Sequence, residues 1–600
     1  MSGGVTLSKT AVMSVNQAIA RGFWEAGGRV ATSYPGSPTV QIMESLLDYP
    51  DMTSRWAINE KVALEVAIGA SIAGARSLVS MKHVGVNIAA DPLMTFTQVE
   101  TVGGFVLVVG DDPGLSSSQN EQDTRFFTRF ANIPLLEPST AQEAKDYVDE
   151  ALVISEQWGT PVIIRLTSTL CHSQGVVQLG QRRDEPVEGF NEDQARFCML
   201  PPYSRDQQHF MQQRMAALRE LSEVSPLQQY EESSNLRCLI ITSGISYQHL
   251  QELGADVSIL KLGMSYPLPV QRIGELAALH QQVIVLEELM PFVEDELKAA
   301  GLAVEGKRYF SFTGELTPDD IRTGLIQAGV IPSALTSAAE DSHVVGRTPI
   351  LCAGCPHRPI FHILKQAQAV VIGDIGCYSL GILEPFEVLK TNLSMGASLG
   401  MIQGVALAQR MAGNVKPLVA TIGDGTFFHS GLSGLADLVN TRENITLLIL
   451  DNRTTAMTGG QMTPTTRDFV KDEDLTGINL PELLRAFGVE DVQVVNQFHY
   501  DKTRRIIVSA MEHQGLSVII ATRPCALNFK LRYPHYYVDS DLCISCRQCI
   551  AVNCPPISMR AETGTEEKRS FIDPDMCVGC SVCSQVCPVK AIKSSRSQEV

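Results

Sequence analysis

The sequence contains no apolar run of about 18 residues, the length that a membrane-spanning helix requires. Its first residues show no charged segment followed by an apolar one, so we expect a cytoplasmic protein rather than an exported one. Basic residues are scarce, with 48 lysine and arginine side chains against 66 acidic ones and a net charge of −18. Without a basic stripe to neutralise phosphates, a nucleic-acid surface is not expected. The G-x-G-x-x-G fingerprint of a hydride-carrying dinucleotide is also missing.

Hydrophobic residues make up 44% of the chain and charged residues 19%, which is typical of a globular protein. A chain of 600 residues is too long for one core, so we expect about three to five domains. Fifteen cysteines in a chain that is not exported are poor candidates for disulfides. Metal or cluster ligation is the better prediction for them.

Strand-like and helix-like segments alternate along most of the chain, which predicts parallel sheets with helices on both faces. We expect a first α/β domain at residues 1–185, a linker at 186–235, a second α/β domain at 236–340, a third at 346–530 and a cysteine-rich tail at 535–600. The polar composition of residues 181–235 is the basis for the linker. A further connection is expected at residues 332–345, which are rich in Ser and Ala.

The tail contains two cysteine motifs. Their members are Cys543, Cys546, Cys549 and Cys554, spaced C-x2-C-x2-C-x4-C-P, and Cys577, Cys580, Cys583 and Cys587, spaced C-x2-C-x2-C-x3-C-P. In such pairs of motifs, the fourth cysteine of each completes the cluster of the other. We therefore expect two [4Fe–4S] clusters, held by Cys543, Cys546, Cys549 and Cys587, and by Cys577, Cys580, Cys583 and Cys554. Zinc sites are the alternative, although they rarely use four cysteines in such a run.

A second motif follows a predicted strand at residues 416–422 and reads Gly423-Asp424-Gly425. The next predicted strand, residues 445–450, is followed by Asp451-Asn452, with the Asn 28 residues after Asp424. Mg²⁺ prefers oxygen ligands, and the Asp424 carboxylate, the Asn452 amide and the Thr454 carbonyl would supply three. The pattern resembles the thiamine diphosphate signature, whose second half is normally Asn-Asn. The alternative is a structural turn and a strand cap.

Asn59-Glu60 opens a helix rich in small residues in the first domain. Thiamine chemistry needs a carboxylate beside the aminopyrimidine ring, and Glu60 is a candidate. Composition alone fits equally well with a helix-start carboxylate that the helix dipole favours.

Five segments together resemble the 2-oxoacid:ferredoxin oxidoreductases, with the alpha subunits of the indolepyruvate enzymes as the best match. They are S-Y-P-G-S-P at 33–38, N-E-K-V-A at 59–63, M-K-H-V-G at 81–85, C-A-G-C-P-H-R at 352–358 and G-D-I-G-C-Y at 373–378. The resemblance covers essentially the whole chain. It implies two doubly wound α/β domains that bind the pyrimidine (1–185) and the diphosphate (346–530) of thiamine diphosphate. A transketolase C-terminal-like α/β domain (236–340) and a ferredoxin-like domain with two clusters (535–600) complete the expected fold.

The same resemblance implies roles for individual residues. Glu60 becomes the partner of the pyrimidine N1′, Ser37 faces the substrate carboxylate, and Lys82 and His83 line the pocket, although His83 is equally compatible with a structural histidine. The residues expected to bind thiamine diphosphate and Mg²⁺ are Gly423, Asp424, Gly425, Asn452, Thr454, His357, Gly376 and Cys377. A third [4Fe–4S] cluster is implied on Cys352, Cys355, Cys377 and Cys525, the alternative being that Cys355 and Cys377 merely pack near the diphosphate. The remaining cysteines, Cys171, Cys198 and Cys238, are expected to be ordinary buried thiols.

The expected reaction is oxidative decarboxylation of an aryl 2-oxo acid, of the indolepyruvate or phenylpyruvate type, to acyl-CoA and CO2, with electrons passed to ferredoxin. Single-chain pyruvate enzymes carry an arginine where this chain has residues 110–113, so a bulkier substrate is favoured. A smaller beta subunit of about 200 residues, the size of one domain, is expected in an α2β2 assembly. The alternatives are the same chemistry on another 2-oxo acid, a non-oxidative decarboxylase and an electron-transfer subunit on an inactive thiamine scaffold.

Overall fold

A computed structural model of the chain describes residues 9–201, 203–332, 348–413, 416–441, 443–466, 477–561 and 567–598. The chain forms two compact units, Met1–Asp341 and Ser342–Val600. Within the described ranges, no helix is both long and apolar enough to cross a membrane. Apart from Pro332, the connection expected at residues 332–345 lies outside the described residues.

The first part of the first unit is an α/β domain. Its strands are β1 (Thr10–Ser14), β2 (Val30–Ser33), β3 (Thr53–Trp56), β4 (Ser77–Lys82), β5 (Phe105–Asp111), β6 (Leu135–Leu136), β7 (Val162–Thr167) and β8 (Gln174–Gln178). Its helices are α1 (Val15–Glu25), α2 (Val40–Leu46), α3 (Glu60–Ile72), α4 (His83–Phe96), α5 (Arg125–Ala131), α6 (Ala141–Trp158) and α7 (Ser168–His172). Strands β2 to β7 form a parallel sheet in the order β3-β2-β4-β5-β7-β6, and β1 pairs with β8 separately. The central strands are buried along their whole length because helices cover both faces of the sheet.

Residues 186–235, expected to be a linker, contain α8 (Gln194–Phe197), α9 (Tyr203–Val224) and β9 (Gln228–Glu231). The helix α9 buries Met211, Met215 and Leu218, which recur on one face at helical spacing. Strand β9 pairs with β11 (Ser258–Leu262). The segment is therefore part of the folded unit. The apolar face of α9 is narrow, so the polar residues around it made the helix hard to recognise from the sequence.

The rest of the first unit contains β10 (Cys238–Thr242), α10 (Gly244–Glu252), β12 (Met264–Tyr266), α11 (Val270–Ala277), β13 (Gln282–Leu286), α12 (Phe292–Ala299) and α13 (Pro318–Gln327). Its sheet has the order β13-β10-β11-β9. Strand β12 leaves this sheet and pairs antiparallel with β6 at the edge of the first one. The two sheets consequently share one hydrophobic core.

The second unit begins with a parallel sheet. Its strands are β14 (Val370–Ile372), β15 (Leu389–Thr391), β16 (Leu418–Gly423), β17 (Ile445–Asp451), β18 (Asp491–Val495) and β19 (Leu516–Thr522). Its helices are α14 (His357–Gln366), α15 (Ala397–Met411), α16 (Asp424–Thr426), α17 (Leu432–Leu438), α18 (Leu480–Ala486) and α19 (Tyr500–Met511). The order β15-β14-β16-β17-β19-β18 repeats the winding of the first sheet, strand for strand. Between α16 and α17, a π-helical turn occupies Phe427–Gly431, so the helical segment begins directly after β16, at Asp424.

The tail consists of β20 (Tyr536–Val538), β21 (Ile557–Ala561), β22 (Lys568–Ile572), α20 (Val582–Gln585) and β23 (Ile592–Ser594). Its strands form two small antiparallel pairs, β20 with β23 and β21 with β22. Val552 and Val582 are buried in the same core as the parallel sheet of the second unit. The tail is therefore packed against the rest of the second unit.

Candidate active site

In both parallel sheets, the chain reverses its winding direction between the first and third strands. At such a switch point, the loops that leave the carboxyl ends of the strands open a crevice where ligands bind. In the first unit this point lies between β2 and β4, and in the second between β14 and β16. The candidate cofactor and substrate residues expected outside the tail lie around these two points.

At the first switch point, Glu60 is the first residue of α3, and it is 6% exposed. The preceding Asn59 caps the helix by accepting a hydrogen bond from the Val62 N–H at 2.8 Å. A Cβ built on Gly85, in the first turn of α4, would lie 2.6 Å from Glu60 Cγ. The backbone of α4 therefore lies directly against the Glu60 side chain.

The loop that carries Ser37 follows β2. Its backbone is held at Pro38, whose carbonyl accepts a hydrogen bond from Asn16 Nδ2 at 2.8 Å. Gly36 lies against the Cβ of Lys82, at the end of β4, and Ser37 itself is half-buried. The structure thus brings the Ser37 loop next to Lys82.

Lys82 and His83 are both buried and both contact the loop that follows β5. Lys82 Nζ donates to the Ser117 carbonyl at 2.7 Å and lies 3.9 Å from Asp112 Oδ2. Burial lowers the pKa of Lys82 to about 8, although the Asp112 carboxylate acts in the opposite direction. His83 Nε2 lies 3.2 Å from the Asn120 carbonyl oxygen. Its Nδ1 has no hydrogen-bond partner among the described residues.

An arginine does contact residues 110–113, although it comes from another strand. Arg165, on β7, donates from Nε to Asp111 Oδ2 and from Nη1 to Glu137 Oε1, both at 2.6 Å. These two contacts direct the guanidinium towards buried carboxylates. Sequence reasoning missed this pair because β5 and β7 are neighbours only in the folded sheet.

At the second switch point, Asp424 follows β16 and is 1% exposed. Burial, followed by the negative charge of Asp451, raises the pKa of Asp424. Thr463 Oγ1 donates to Asp424 Oδ2 at 2.6 Å, and Asn452 Oδ1 accepts from the Thr454 N–H at 3.2 Å. Two buried carboxylates that repel each other beside an amide oxygen form a suitable donor set for Mg²⁺. Asp451 and Thr463 were not expected to take part.

The loop after β14 lies next to this acidic pair. Thr426 Oγ1 donates to the Ile375 carbonyl at 2.9 Å, which connects the G-D-G motif with Gly376 and Cys377. Asp374, which is fully buried, holds the loop in place by accepting from the Gly396 and Ser398 N–H groups, both at 2.9 Å. The expected diphosphate residues on the two loops are therefore neighbours.

His357 begins α14, and its ring lies 6.0 Å from that of Tyr378, in the same loop region. Burial lowers the pKa of His357 to about 4, so the ring is neutral near pH 7. Its Nδ1 has no hydrogen-bond partner within the described ranges. A buried, neutral ring with an open polar atom fits a role in contacting a bound cofactor.

One group of tail cysteines lines a shared cavity. Its lining includes all four expected ligands of one cluster, Cys543, Cys546, Cys549 and Cys587. The other expected group is also assembled, since burial and the charges of Cys580, Cys554 and Cys577 raise the pKa of Cys583. Thiols that raise each other's pKa in this way favour binding of positively charged iron.

The third set of cysteines is spread over three loops that meet at the switch point. Burial raises the pKa of Cys377 to about 11, and the charges of Cys525 and Cys352 add to this effect. Burial also raises the pKa of Cys355, and the charges of Cys377 and Cys352 add to this effect. The Cys525 N–H donates to the Asn452 carbonyl at 3.0 Å, next to the acidic pair. No three His, Cys, Asp or Glu side chains in the described parts of the chain are close enough to hold a single metal ion.

Two of the three remaining cysteines, Cys171 and Cys238, are buried as expected. Cys198 is exposed, so the expectation of a buried thiol was wrong for this residue. It ends the short helix α8 on the surface of a polar segment, where few apolar side chains are available to cover it.

Family models match three parts of the chain. Residues 21–232 match the thiamine diphosphate-binding part of pyruvate flavodoxin/ferredoxin oxidoreductases, and residues 374–521 match the C-terminal TPP-binding domain of thiamine pyrophosphate enzymes. Residues 537–594 match a 4Fe-4S dicluster domain. Together with the two sheets of equal strand order, these matches define a thiamine diphosphate-dependent oxidoreductase of 2-oxo acids that uses [4Fe–4S] clusters.

Relatives of known name narrow this class. The indolepyruvate oxidoreductase subunit IorA of Pyrococcus abyssi is 36% identical, over 98% of this chain and 97% of its own length. The subunit of the same name from Archaeoglobus fulgidus is 37% identical, over 97% of each chain. The chain belongs to the family of indolepyruvate oxidoreductase IorA subunits. The 2-oxoglutarate synthase subunit KorB of Archaeoglobus fulgidus is 25% identical over 30% of this chain and 72% of its own length.

Proposed function

We propose that this chain is the large subunit of an enzyme that oxidises an aryl 2-oxo acid with coenzyme A, releasing acyl-CoA and CO2 and reducing ferredoxin. The observation that carries this proposal lies in the second unit. There the acidic pair of Asp424 and Asp451 lies close to a set of four cysteines, which supports a thiamine-type site next to a candidate redox site. The aryl side chain is supported by the names of the relatives.

Thiamine diphosphate, when bound, supplies the carbon nucleophile that attacks the 2-oxo group and accepts the electron pair left by decarboxylation. In the first unit, the Glu60 carboxyl group would hold a proton at the aminopyrimidine N1′. The Ser37 hydroxyl would donate a hydrogen bond to the substrate carboxylate, and Lys82 would add a positive charge nearby. His83, the first residue of α4, would line the pocket next to Lys82.

In the second unit, Asp424, Asn452 and the Thr454 carbonyl would hold Mg²⁺, which in turn would hold the diphosphate. Gly423, Gly425 and Gly376 would allow the backbone to approach the phosphate oxygens. His357 would contact the cofactor from the side of Cys377.

Electrons would leave through three [4Fe–4S] clusters, one on each group of four cysteines. The set of Cys352, Cys355, Cys377 and Cys525 adjoins the acidic pair and would receive them first. Cys546 is exposed, whereas the cysteines of the other tail set, Cys554, Cys577, Cys580 and Cys583, are buried or half-buried. The cluster of Cys546 would therefore be the tail cluster that reaches an external acceptor. That acceptor would be ferredoxin.

The smaller beta subunit and the α2β2 stoichiometry are part of the proposal. Relatives of this chain carry the name of a subunit, which implies a partner for them. Light scattering of the anaerobically co-purified complex tests the assembly directly. A mass that corresponds to the large chain alone, with full activity, would argue against the partner.

The test of the function is turnover by that complex with four 2-oxo acids, namely indolepyruvate, phenylpyruvate, pyruvate and 2-oxoglutarate. The proposal expects kcat/KM to be highest for the two aryl acids, with acyl-CoA formed only when both coenzyme A and oxidised ferredoxin are present. Equal or better use of pyruvate or 2-oxoglutarate would assign the same chemistry to another substrate. Aldehyde formation without any acceptor would favour a non-oxidative decarboxylase instead.

A further inference from the structure

A buried arginine lies where the first cysteine loop of the second unit meets the tail. Arg358 lies in the first turn of α14, three residues after Cys355, and is 2% exposed. Its Nε donates to the Cys352 carbonyl at 3.0 Å, and its Nη2 donates to the Leu351 carbonyl. Its Nη1 has no hydrogen-bond partner among the residues that the structure describes. The guanidinium is thus held on one side and open on the other.

The groups around this arginine are cysteines from two different sets. Burial lowers the pKa of Arg358, and the charges that oppose this effect come, largest first, from Cys554, Cys355, Cys352 and Cys580. Cys554 and Cys580 belong to a tail set, whereas Cys352 and Cys355 belong to the third set. Arginine stays protonated even so, because its unperturbed pKa is above about 12.

The two sets meet at Gly354, between Cys352 and Cys355. Burial raises the pKa of Cys554, although a hydrogen bond from the Gly354 backbone and the charge of Arg358 act against it. On the tail side, Val578 packs so closely against Gly354 that a Cβ there would overlap with it. Arg358 therefore lies at the point of contact between the two sets.

Leaving a charge in an apolar interior is costly unless an opposite charge balances it. A [4Fe–4S] cluster with four thiolate ligands is negative, and it becomes more negative by one charge when it is reduced. Net charge and hydrogen bonding around the cluster are among the factors that set its reduction potential. A fixed positive charge in a low-dielectric site stabilises the reduced form more than the oxidised form.

We propose that Arg358 raises the reduction potentials of the two clusters that flank it, those of Cys352, Cys355, Cys377 and Cys525 and of Cys554, Cys577, Cys580 and Cys583. Each cluster takes up one electron that the oxidation of the 2-oxo acid supplies and passes it on towards ferredoxin. No proton moves, because the guanidinium keeps its own. Arg358 is a positioning residue that favours entry of electrons into the buried part of the path. The inference rests on the proposed function only in requiring that clusters occupy these two sets.

The experiment compares the anaerobic, full-length complex with the variants Arg358→Gln, Arg358→Lys and Arg410→Gln. Arg410 is an exposed arginine of the same unit, paired with Glu443, and its variant removes the same charge from the protein surface. Iron content and an electron paramagnetic resonance titration of the midpoint potentials are measured for each. The cluster of Cys543, Cys546, Cys549 and Cys587 is an internal control, since none of its cysteines is among the main charges around Arg358.

Arg358→Gln should make one-electron reduction of the two flanking clusters at least about tenfold less favourable, a fall of about 59 mV. The internal control cluster should move by less than half of this, and Arg358→Lys and Arg410→Gln should leave all potentials nearly unchanged. Unchanged potentials in a fully loaded Arg358→Gln protein, or an equal shift of all three clusters, would overturn the inference.

Arg358→Gln could also lose iron from the two flanking sets. In that case the iron content of Arg358→Lys shows whether the positive charge or the hydrogen bonds of the arginine are required. Retention of iron with lysine would support a requirement for the positive charge, and loss of iron with lysine too would show that the arginine only ties the loop at Leu351. Failure of the proposed function is a separate result. Shifted potentials in a complex that oxidises no 2-oxo acid would refute the function and leave this inference standing.

Discussion

The backbone of Gly85 lies directly against the Glu60 side chain, and a Cβ on Gly85 would come within 2.6 Å of Glu60 Cγ and 2.8 Å of its Oε1. Both residues lie in the first turns of their helices, so the start of α4 fixes the position of the carboxylate. Gly85→Ala should displace this carboxylate and lower kcat by at least about tenfold, as expected for a misplaced acid–base group. Steady-state kinetics of the variant complex measures the effect.

Gly69→Ala is the matched control for this variant. Gly69 lies in the middle of α3, and a Cβ there would meet nothing within 4 Å. Alanine in a helix interior should stabilise the fold by roughly 0.5–1 kcal/mol without affecting turnover. If both variants kept full activity, the contact between Gly85 and Glu60 would have no role in catalysis.

Replacing the carboxylate itself gives a larger effect. Glu60→Gln should lower kcat by about a hundredfold or more, because an amide cannot exchange a proton with the aminopyrimidine N1′ as a carboxyl group does. The affinity for thiamine diphosphate should change little, because the diphosphate is expected to bind to the second unit. Calorimetry measures the affinity, and near-normal turnover would identify Glu60 as a helix-start carboxylate only.

Lys82 predicts a pH dependence. Burial lowers its pKa to about 8, so the amine loses its positive charge as the pH rises through this value. If that charge attracts the substrate carboxylate, kcat/KM should fall above about pH 8. Lys82→Arg should remove this fall, because arginine stays protonated. The control is Lys298→Met, which removes a half-exposed lysine on α12. An unchanged profile in Lys82→Arg would exclude the role.

Much of this fold could be predicted from the sequence. Strands β5 and β17 are mostly apolar runs, and helices such as α1 and α14 show clear helical periodicity. The helix α9 was missed because only three side chains on its narrow face, Met211, Met215 and Leu218, carry the signal. The π-helical turn at Phe427–Gly431 was missed as well, since no residue pattern marks it.

The site was predictable where its residues stand in a motif of fixed spacing, as Asp424 and Asn452 do. Thr463 could not be found in this way, because it contacts Asp424 from a loop 39 residues away. The contact between Arg165 and Asp111 depends equally on which strands are neighbours in the sheet. Such partners are set by the folded topology and have no local signature.

Asp424→Ala should weaken magnesium-dependent binding of thiamine diphosphate by at least about a hundredfold, or about 2.8 kcal/mol. In the unsubstituted protein, binding should also weaken as the pH falls. Burial and, after it, the charge of Asp451 raise the pKa of Asp424, so protons compete with the metal for the carboxylate. Calorimetry with and without Mg²⁺ tests both points. The control Asp437→Ala removes an exposed acid on α17 and should bind normally. Tight magnesium-dependent binding by Asp424→Ala would refute the assignment of Asp424 as a Mg²⁺ ligand.

The iron content tests the third cluster. Three groups of four cysteines should hold about twelve irons per chain, whereas the tail alone would hold about eight. Removing the tail is a poor test, because Val552 and Val582 are buried in the core of the second unit and their loss would expose it. Substitution of single cysteines leaves this core intact.

Cys377→Ser should therefore reduce the content from about twelve irons to about eight, with the two tail clusters unaffected. Cys377 adjoins Cys525 and Cys352 at the switch point, so loss of its sulfur removes one ligand of the proposed cluster and not of the others. The matched control is Cys198→Ser, which removes an exposed thiol outside all three groups and should keep about twelve irons. If the two serine variants hold equal amounts of iron, the third cluster is absent. Cys355 and Cys377 then only pack beside the diphosphate, and electrons must reach the tail directly.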